Sequence, residues 1–170
     1  MEESHEGKPS YNSIYTRALA SGSANLLHKD AIVNKVVAHI ESYEKFVEWV
    51  SETYFLGIRN MLSVGGNGRQ FRHPGPSVSE TDVIARCILV AKSMHNLTSG
   101  NICLPERKDE AKRMLFKTLA GAQFFTTHTL FDNKQIIDVL VEYNRLCLSA
   151  GERPYSILLI LSPLKSSSYF

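Results

Sequence analysis

The sequence predicts an α/β fold made of parallel βαβ units. Short runs of β-branched and apolar residues, typical of strands, alternate with segments in which apolar residues recur every three or four positions, as in helices. Glycines stand after several of these segments, where they end a helix or turn the chain. Strands joined through helices form right-handed crossovers and a parallel sheet. The alternation allows either an open doubly wound sheet or part of a barrel.

Five strands and four intervening helices are predicted along the chain. The strands lie at Ile32–Ile40, Ile58–Val64, Gly100–Leu104, Gln123–Thr127 and Ser156–Leu161. The helices lie over Tyr43–Phe55, behind a capping box at Ser77–Glu80, over Asp109–Leu119, and around the apolar residues Ile136, Ile137, Leu140 and Val141. The last strand is continuously apolar, which predicts that it is buried on both faces.

Length and composition predict one globular domain. The chain has 170 residues and a mass of 19.1 kDa, with 44% apolar and 21% charged residues, so it can bury a core without disulfides or metals. We expect residues 1–31 to be a flexible or poorly defined N-terminal segment, because they show no sustained hydrophobic period. The parallel units then occupy residues 32–164, and residues 165–170 form a tail.

Charge, hydropathy and cysteine content exclude several classes of function. A net charge of +2 gives no broad basic field for nucleic acid, and the longest apolar run, Ile157–Leu161, is far too short for a membrane span. The three cysteines are widely spaced and odd in number, which argues against a disulfide framework or a zinc site. The polar start of the chain lacks the apolar region of a signal peptide, so we expect a cytoplasmic protein with no metal.

Ligands of parallel α/β proteins bind at the carboxyl ends of the strands, and several chemically useful side chains are predicted there. These are His39, the glycine cluster Gly65–Gly68, Glu106 and His128. The glycines allow a close approach to a ligand or a plain tight turn, and they match no nucleotide-binding motif. Each histidine is either structural or part of a site, and Glu106 is either a general acid or a surface residue in the first turn of a helix.

Taken together, these segments resemble the methylenetetrahydrofolate reductase family. The resemblance runs from about Asn34 to Leu164 in matching order and spacing. It rests on VVAHIES around His39, on GIRNMLSVGGN over Gly57–Asn67, on AGAQFFTTH over Ala120–His128, and on SILLILSPL near the end. It implies a TIM (β/α)8 barrel of which this sequence supplies about strands three to seven. It also implies FAD as cofactor and hydride transfer from NAD(P)H to methylenetetrahydrofolate.

The resemblance assigns binding roles to seven residues. Those implied for the cofactor are His39, Gly65, Gly66, Asn67, Leu104 and Lys117, and those implied for the folate are Asn67 and His128. Three of them, His39, Gly66 and Lys117, agree with the family. In the other four, Gly65 replaces an arginine, Asn67 an aspartate, Leu104 an aromatic residue and His128 a glutamine. The amide of Asn67 can still hydrogen-bond a pterin but supplies no negative charge.

The resemblance leaves the catalytic residue unknown and more than one function open. The family's general acid is a glutamate at the end of strand one, and no strand of that kind precedes Ile32. A barrel needs roughly 250 residues, so about three βα units are expected to lie outside these 170. The chain is then a divergent reductase, or a non-catalytic module that completes its barrel with another copy or another chain. An open doubly wound binding protein without a link to folate is the third alternative.

Overall fold

The computed structural model describes residues 11–37, 40–65, 77–91, 96–130 and 134–161. Helices and strands alternate strictly through these residues. The helices are α1 (Tyr11–Leu27), α2 (Tyr43–Phe55), α3 (Val78–Ala91), α4 (Glu110–Ala120) and α5 (Lys134–Ser149). The strands are β1 (Ile32–Val36), β2 (Asn60–Val64), β3 (Thr98–Cys103), β4 (Phe124–Leu130) and β5 (Ile157–Leu161). Each predicted strand and helix is therefore present, with ends that shift by a few residues.

The five strands form one parallel sheet in the order β1-β2-β3-β4-β5. This arrangement confirms the predicted parallel βαβ units. A doubly wound sheet reverses its strand order at a switch point and carries helices on both faces. The described strands show no reversal, which favours a segment of a barrel over that alternative. Closure of the sheet into a barrel stays a prediction.

Two apolar clusters fill the space between the sheet and the helices. In the first, Phe46 and Trp49 of α2 stack at a centroid distance of 6.4 Å and pack with Val33 and Met61 of the strands. In the second, Phe125 of β4 meets Tyr143 of α5 edge to face at 5.7 Å, beside Met114 and the thiols of Cys103 and Cys147. Burial of these large side chains is the main stabilising term for the fold.

The N-terminal segment differs from the expectation for residues 1–31, since 11–27 form helix α1. The buried Arg17 holds this helix against α2. Its guanidinium donates to the carbonyl of Trp49 and to Thr53 Oγ1, each at 3.1 Å, and pairs with Glu52 at 3.0 Å. It also lies 5.3 Å from the centre of the Trp49 ring. Arg17 thus anchors α1 together with Ala20, which is buried in the first cluster, and hydrophobic periodicity does not detect an anchor that is a cation.

The prediction that the last strand is buried on both faces is wrong. Ile157 is half-buried against the second cluster, whereas Leu158, Leu159, Ile160 and Leu161 are 45–73% exposed. The strand pairs with β4 on one edge, and no strand lies on its other edge within the part of the chain that the structure describes. An apolar run therefore forms an uncovered edge of the sheet.

Gly100 of β3 is needed for close packing against a neighbouring side chain. It lies opposite Phe124 of β4, and a Cβ atom at position 100 would overlap the Phe124 ring. We expect Gly100→Ala to lower the free energy of unfolding by about 1–3 kcal/mol, the usual cost of overpacking. Urea denaturation followed by circular dichroism measures this change.

The control is Gly22→Ala in α1, where a Cβ would meet nothing within 4 Å. This substitution replaces a poor helix former by a good one, so the free energy of unfolding should stay equal or rise by up to about 1 kcal/mol. The double variant Gly100→Ala with Phe124→Leu should recover part of the loss, because the smaller side chain leaves space for the methyl group. A Gly100→Ala variant as stable as the parent protein would contradict this account.

Candidate functional site

The candidate site lies at the carboxyl ends of the strands. Of the residues that the sequence analysis placed there, His39, Gly66 and Asn67 lie outside the described residues, as does the rest of the glycine cluster after Gly65. Gly65, Leu104 and His128 are described, as is Glu106. Lys117, which the resemblance assigned to the cofactor, lies in α4 rather than at a strand end.

The structure brings Glu106 and His128 together. His128 Nε2 lies 3.4 Å from Glu106 Oε1, and the two side chains are 49% and 52% exposed. Glu106 belongs to the loop between β3 and α4, and His128 lies near the end of β4. Neighbouring parallel strands thus present a carboxylate and an imidazole side by side to solvent, where both are accessible to a small polar ligand.

An irregularity in β4 accompanies the exposure of His128. The ladder to β5 pairs Thr126 with Leu158 and Thr129 with Ile160, so the register shifts between them. The Thr127 hydroxyl accepts a hydrogen bond from the backbone N–H of Ile160 at 3.0 Å across this gap. Bulges of this type change the direction of a side chain and are common beside functional sites. Thr126 and Thr127 are buried, whereas His128 is exposed.

The buried carboxylate of Glu110 holds the loop that carries Glu106. Its Oε1 accepts a hydrogen bond from the backbone N–H of Leu104 at 3.0 Å, and its Oε2 lies 3.5 Å from the guanidinium of Arg107. The backbone N–H of Arg107 also donates to the Leu104 carbonyl at 2.9 Å. Glu110 lies in the first turn of α4, where a negative charge is favoured. Sequence reasoning missed this residue, because an acidic residue in a first helical turn is usually exposed.

Gly65 and Leu104 contribute little polar chemistry to this edge. Gly65 is exposed, and a Cβ there would make only an ordinary contact of 3.7 Å with Val78. Leu104 is half-buried and offers an aliphatic side chain where the family has an aromatic ring. The structure therefore shows no steric reason for glycine at position 65.

Lys117 faces the sheet rather than the solvent at the strand ends. Its Nζ donates to the carbonyl of Ile102 in β3 at 3.1 Å. Burial lowers the pKa of this amine, and the carboxylate of Glu110 acts in the opposite direction. The side chain is thus occupied with the backbone of β3 and does not line the exposed edge beside Glu106 and His128.

Asp82 of α3 forms the centre of a buried polar group on the same helix-covered side. It has no exposed surface and accepts hydrogen bonds from Ser99 Oγ at 2.5 Å and Asn101 Nδ2 at 2.7 Å. Burial raises the pKa of Asp82 to about 6, although both hydrogen bonds and the charge of Lys117 oppose the shift. Within the described part of the chain, Asn101 Oδ1 has no hydrogen-bond partner.

A polar cavity of about 330 Å³ borders this group at the amino ends of β3 and β4. Asp82, Ser99 and Gln123 line it, together with Glu152 and Tyr155 from the segment before β5. It lies at the opposite end of the strands from Glu106 and His128. None of the residues that the sequence analysis assigned to a ligand lines it.

The described residues give no sign of a metal centre or a membrane span. No group of three or more histidine, cysteine, aspartate or glutamate side chains among them is placed to hold a metal ion. No described helix is long and apolar enough to cross a bilayer.

The pKa of Asp82 predicts a pH-dependent stability that a single substitution removes. In the unfolded chain this group titrates near 3.8, and in the folded protein near 6. The favourable contribution of its protonated form is therefore complete below pH 3.8 and is lost as the pH rises through 6. Relative to the parent protein, we expect Asp82→Asn to gain roughly 2 kcal/mol in the free energy of unfolding between pH 4 and pH 7, from about 1.36 kcal/mol per pKa unit across the part of the titration that lies above pH 4.

Urea denaturation of both proteins at a series of pH values measures this difference. Asp138→Asn is the control, because it removes one carboxylate from the exposed face of α5. Its effect on the free energy of unfolding should change little with pH. A contrary result would be free energies of unfolding of Asp82→Asn and the parent protein that differ by the same amount at every pH. That result would show that the fold holds the charged form of Asp82 at little cost.

Comparisons with known proteins show a likeness to solved structures. No family model and no curated protein matches the sequence. Among solved structures, the fold is similar to that of an uncharacterized protein from Clostridium thermocellum that binds two copies of 5-methyl-5,6,7,8-tetrahydrofolic acid. The TM-score is 0.63 and the identity 18%, over 94% of this chain and 49% of that chain. This chain therefore spans about half the length of that protein, and the likeness establishes a shared fold.

Proposed function

We propose that this chain binds a reduced folate at the carboxyl ends of its strands, with Glu106 and His128 contacting the pterin ring. The observation that carries the proposal is this exposed pair, 3.4 Å apart, in a fold similar to that of a protein that binds methyltetrahydrofolate. The resemblance of the sequence to methylenetetrahydrofolate reductases supports the same class of ligand. Sequence motifs and structural likeness thus point to folate by separate routes.

The chemistry of the pair suits a reduced pterin. The pyrimidine edge of a pterin presents an amino group and a ring N–H side by side, and a carboxylate accepts two such parallel hydrogen bonds. Glu106 supplies this carboxylate from a loop that Glu110 fixes through the backbone of Leu104. His128 has donor and acceptor nitrogens next to Glu106, in the position that the resemblance assigns to recognition of the folate ring.

The face of the sheet away from the helices is apolar near the ends of β1 and β2. Ser63 is directed to the helices, because its hydroxyl accepts a hydrogen bond from Thr81 of α3 at 2.8 Å. Since side chains alternate along a strand, Val64 is directed to the opposite face, and its ladder partner Val36 lies beside it. These residues end β2 and β1, and both are buried, so they make the interior beneath the strand ends apolar.

FAD binding and hydride transfer from NAD(P)H stay predictions of the resemblance, and the described residues fit them poorly. Lys117 donates to the Ile102 carbonyl and does not extend towards a phosphate. Gly65 has no steric need to be glycine, and Leu104 cannot stack as an aromatic ring does. No general acid is assigned either. We therefore propose folate binding. Flavin-dependent reduction is a separate question, and a titration with FAD addresses it.

Isothermal titration of the purified chain with 5-methyltetrahydrofolate tests the proposal. We expect saturable binding that Glu106→Gln weakens about tenfold, since losing a hydrogen bond to a charged group costs about 1.5 kcal/mol or more. Glu48→Gln in α2 is the matched control, because Glu48 is 56% exposed and ion-paired with Lys45, much as Glu106 is half exposed beside a histidine. That control should bind as the parent protein does.

Two substitutions of His128 distinguish hydrogen bonding to the ligand from a simple change in side-chain volume. His128→Gln restores the residue type of the reductase family and should keep the affinity, whereas His128→Ala should lower it. A parallel titration with FAD, followed by flavin absorbance, tests the cofactor independently. Absence of saturable folate binding, or a Glu106→Gln variant with unchanged affinity, would reject the site.

A further inference from the structure

The polar cavity at the amino ends of β3 and β4 lies apart from the proposed folate site. It encloses about 330 Å³, and its described lining comes from α3, β3, the end of α4 and the segments before β4 and β5. Its mouth opens to solvent, where Gln123, Glu152 and Tyr155 are exposed. Its inner wall includes Asp82 and Ser99, which are buried. A volume of this size is at the lower end of the range for small-molecule sites.

Two carboxylates give this cavity a negative charge. Asp82 and Glu152 line it, whereas none of the described lining residues is a lysine or an arginine. Asp82 has no exposed surface, so water and salt screen its charge much less than that of a surface residue. The described lining therefore contains no cation that balances the two charges.

The nearby cation Lys117 does not neutralise the cavity. Its Nζ donates to the carbonyl of Ile102, in the carboxyl half of β3, and long helical side chains lean towards the start of their helix, away from this cavity. The carboxylate of Glu110 attracts the same amine. Burial raises the pKa of Asp82 more than the charge of Lys117 lowers it. Lys117 and Glu110 offset each other, which leaves the carboxylates of the cavity in excess.

The end of helix α4 adds to the negative potential. Thr118, Leu119 and the C-cap residue Gly121 line the cavity, so this helix ends at its wall. The carbonyl groups at the C-terminus of a helix carry a partial negative charge, which favours a cation. Backbone and side chains thus select for the same sign of charge.

Ser99 provides a hydrogen-bond acceptor in the inner wall. Its hydroxyl proton is donated to Asp82, at an Oγ–Oδ1 distance of 2.5 Å, so its oxygen retains lone pairs for a bond from a ligand. A hydrogen bond to a carboxylate also polarises the hydroxyl and makes its oxygen a better acceptor. This arrangement suits a ligand that donates hydrogen bonds.

Tyr155 places an aromatic ring at the mouth of the cavity. Its backbone N–H donates to the hydroxyl of Tyr143 at 3.2 Å, and that hydroxyl also shares a hydrogen bond of 2.8 Å with Thr118 Oγ1. The backbone of Tyr155 is therefore held against α4 and α5. An aromatic ring attracts cations to its face.

We propose that this cavity binds a small organic cation that carries a primary ammonium group. Its N–H groups donate to Ser99 Oγ and to the carboxylate of Glu152, while Asp82 and the end of α4 balance its charge and Tyr155 contacts its carbon chain. A metal ion fits less well, because no group of three or more metal-ligating side chains occurs among the described residues. The inference does not depend on folate binding, since the cavity lies at the opposite end of the strands.

Titration of the isotope-labelled full chain with butylammonium, followed by two-dimensional NMR, tests the proposal. A pH of about 7.5 lies above the pKa of about 6 of Asp82 and below that of the amine, so both groups are charged. We expect saturable shifts of the backbone amides of Ser99, Gln123 and Tyr155, with a dissociation constant roughly in the millimolar range for so small a ligand. Butanol and butyrate have a similar size without the positive charge and should bind at least about tenfold more weakly.

Substitutions of the two carboxylates test the origin of the selectivity. Asp82→Asn keeps the size of the side chain and should weaken butylammonium binding about tenfold, as the loss of a charged partner does. Glu152→Gln changes an exposed residue and should weaken it about threefold, which keeps the test decisive if Asp82→Asn fails to fold. Asp138→Asn on the exposed face of α5 is the matched control and should bind as the parent protein does.

Three results would overturn the inference. The first is the absence of saturable shifts at the amides of Ser99, Gln123 and Tyr155. The second is butanol that binds as tightly as butylammonium. The third is an affinity for butylammonium that both Asp82→Asn and Glu152→Gln leave unchanged.

Discussion

The one-sided cover of the parallel sheet is the constraint on which the rest of the structure depends. Strands that follow one another in spatial order are joined by helices on the same face, so the helices cover one face of the sheet. The same arrangement collects all carboxyl strand ends along one edge, where Glu106 and His128 meet. Among the described strands β5 pairs only with β4. The position of the candidate site is thus a consequence of the topology.

The face of the sheet under α3 carries more polar side chains than a buried surface usually does. Ser63, Ser99 and Asn101 occupy strand positions under α3, where aliphatic residues would pack at no electrostatic cost, and Asp82 joins them. Burial raises the pKa of Asp82 to about 6 even with its hydrogen bonds in place, so the ionised side chain lowers the stability of the fold at neutral pH. Asp82 accepts hydrogen bonds from Ser99 and Asn101, which lie two residues apart on the same face of β3. Both hydrogen bonds form only when α3 lies at one position along that strand. The polar group therefore helps to define the register of helix and strand.

The sequence predicted the elements well and the site only in part. Alternating strand and helix periods follow from burial of one face of each element, and the capping box at Ser77 and Glu80 is present, with hydrogen bonds of 2.8 and 3.4 Å. Helix α1 was missed because a buried cation, Arg17, is one of its main contacts with α2, and a charged residue does not contribute to a hydrophobic period. The exposure of β5 was missed because an apolar run indicates a preference for burial and not what covers it. The sequence predicted that Glu106 and His128 lie at the ends of strands. The distance between them depends on the conformation of the loop that carries Glu106, which hydrophobic periodicity does not predict.

The geometry of that pair depends on a buried residue one helical turn away. Glu110 is 1% exposed, and a carboxylate so deeply buried is stable only with strong partners. The backbone N–H of Leu104 bonds Oε1, and the first turn of α4 favours the negative charge, whereas Oε2 lies 3.5 Å from the Arg107 guanidinium without a hydrogen bond among the described residues. Because Leu104 and Arg107 flank Glu106, the contacts that stabilise the buried charge also fix the backbone on both sides of Glu106. A ligand that binds Glu106 then meets a carboxylate that is already ordered, which lowers the conformational entropy lost on binding.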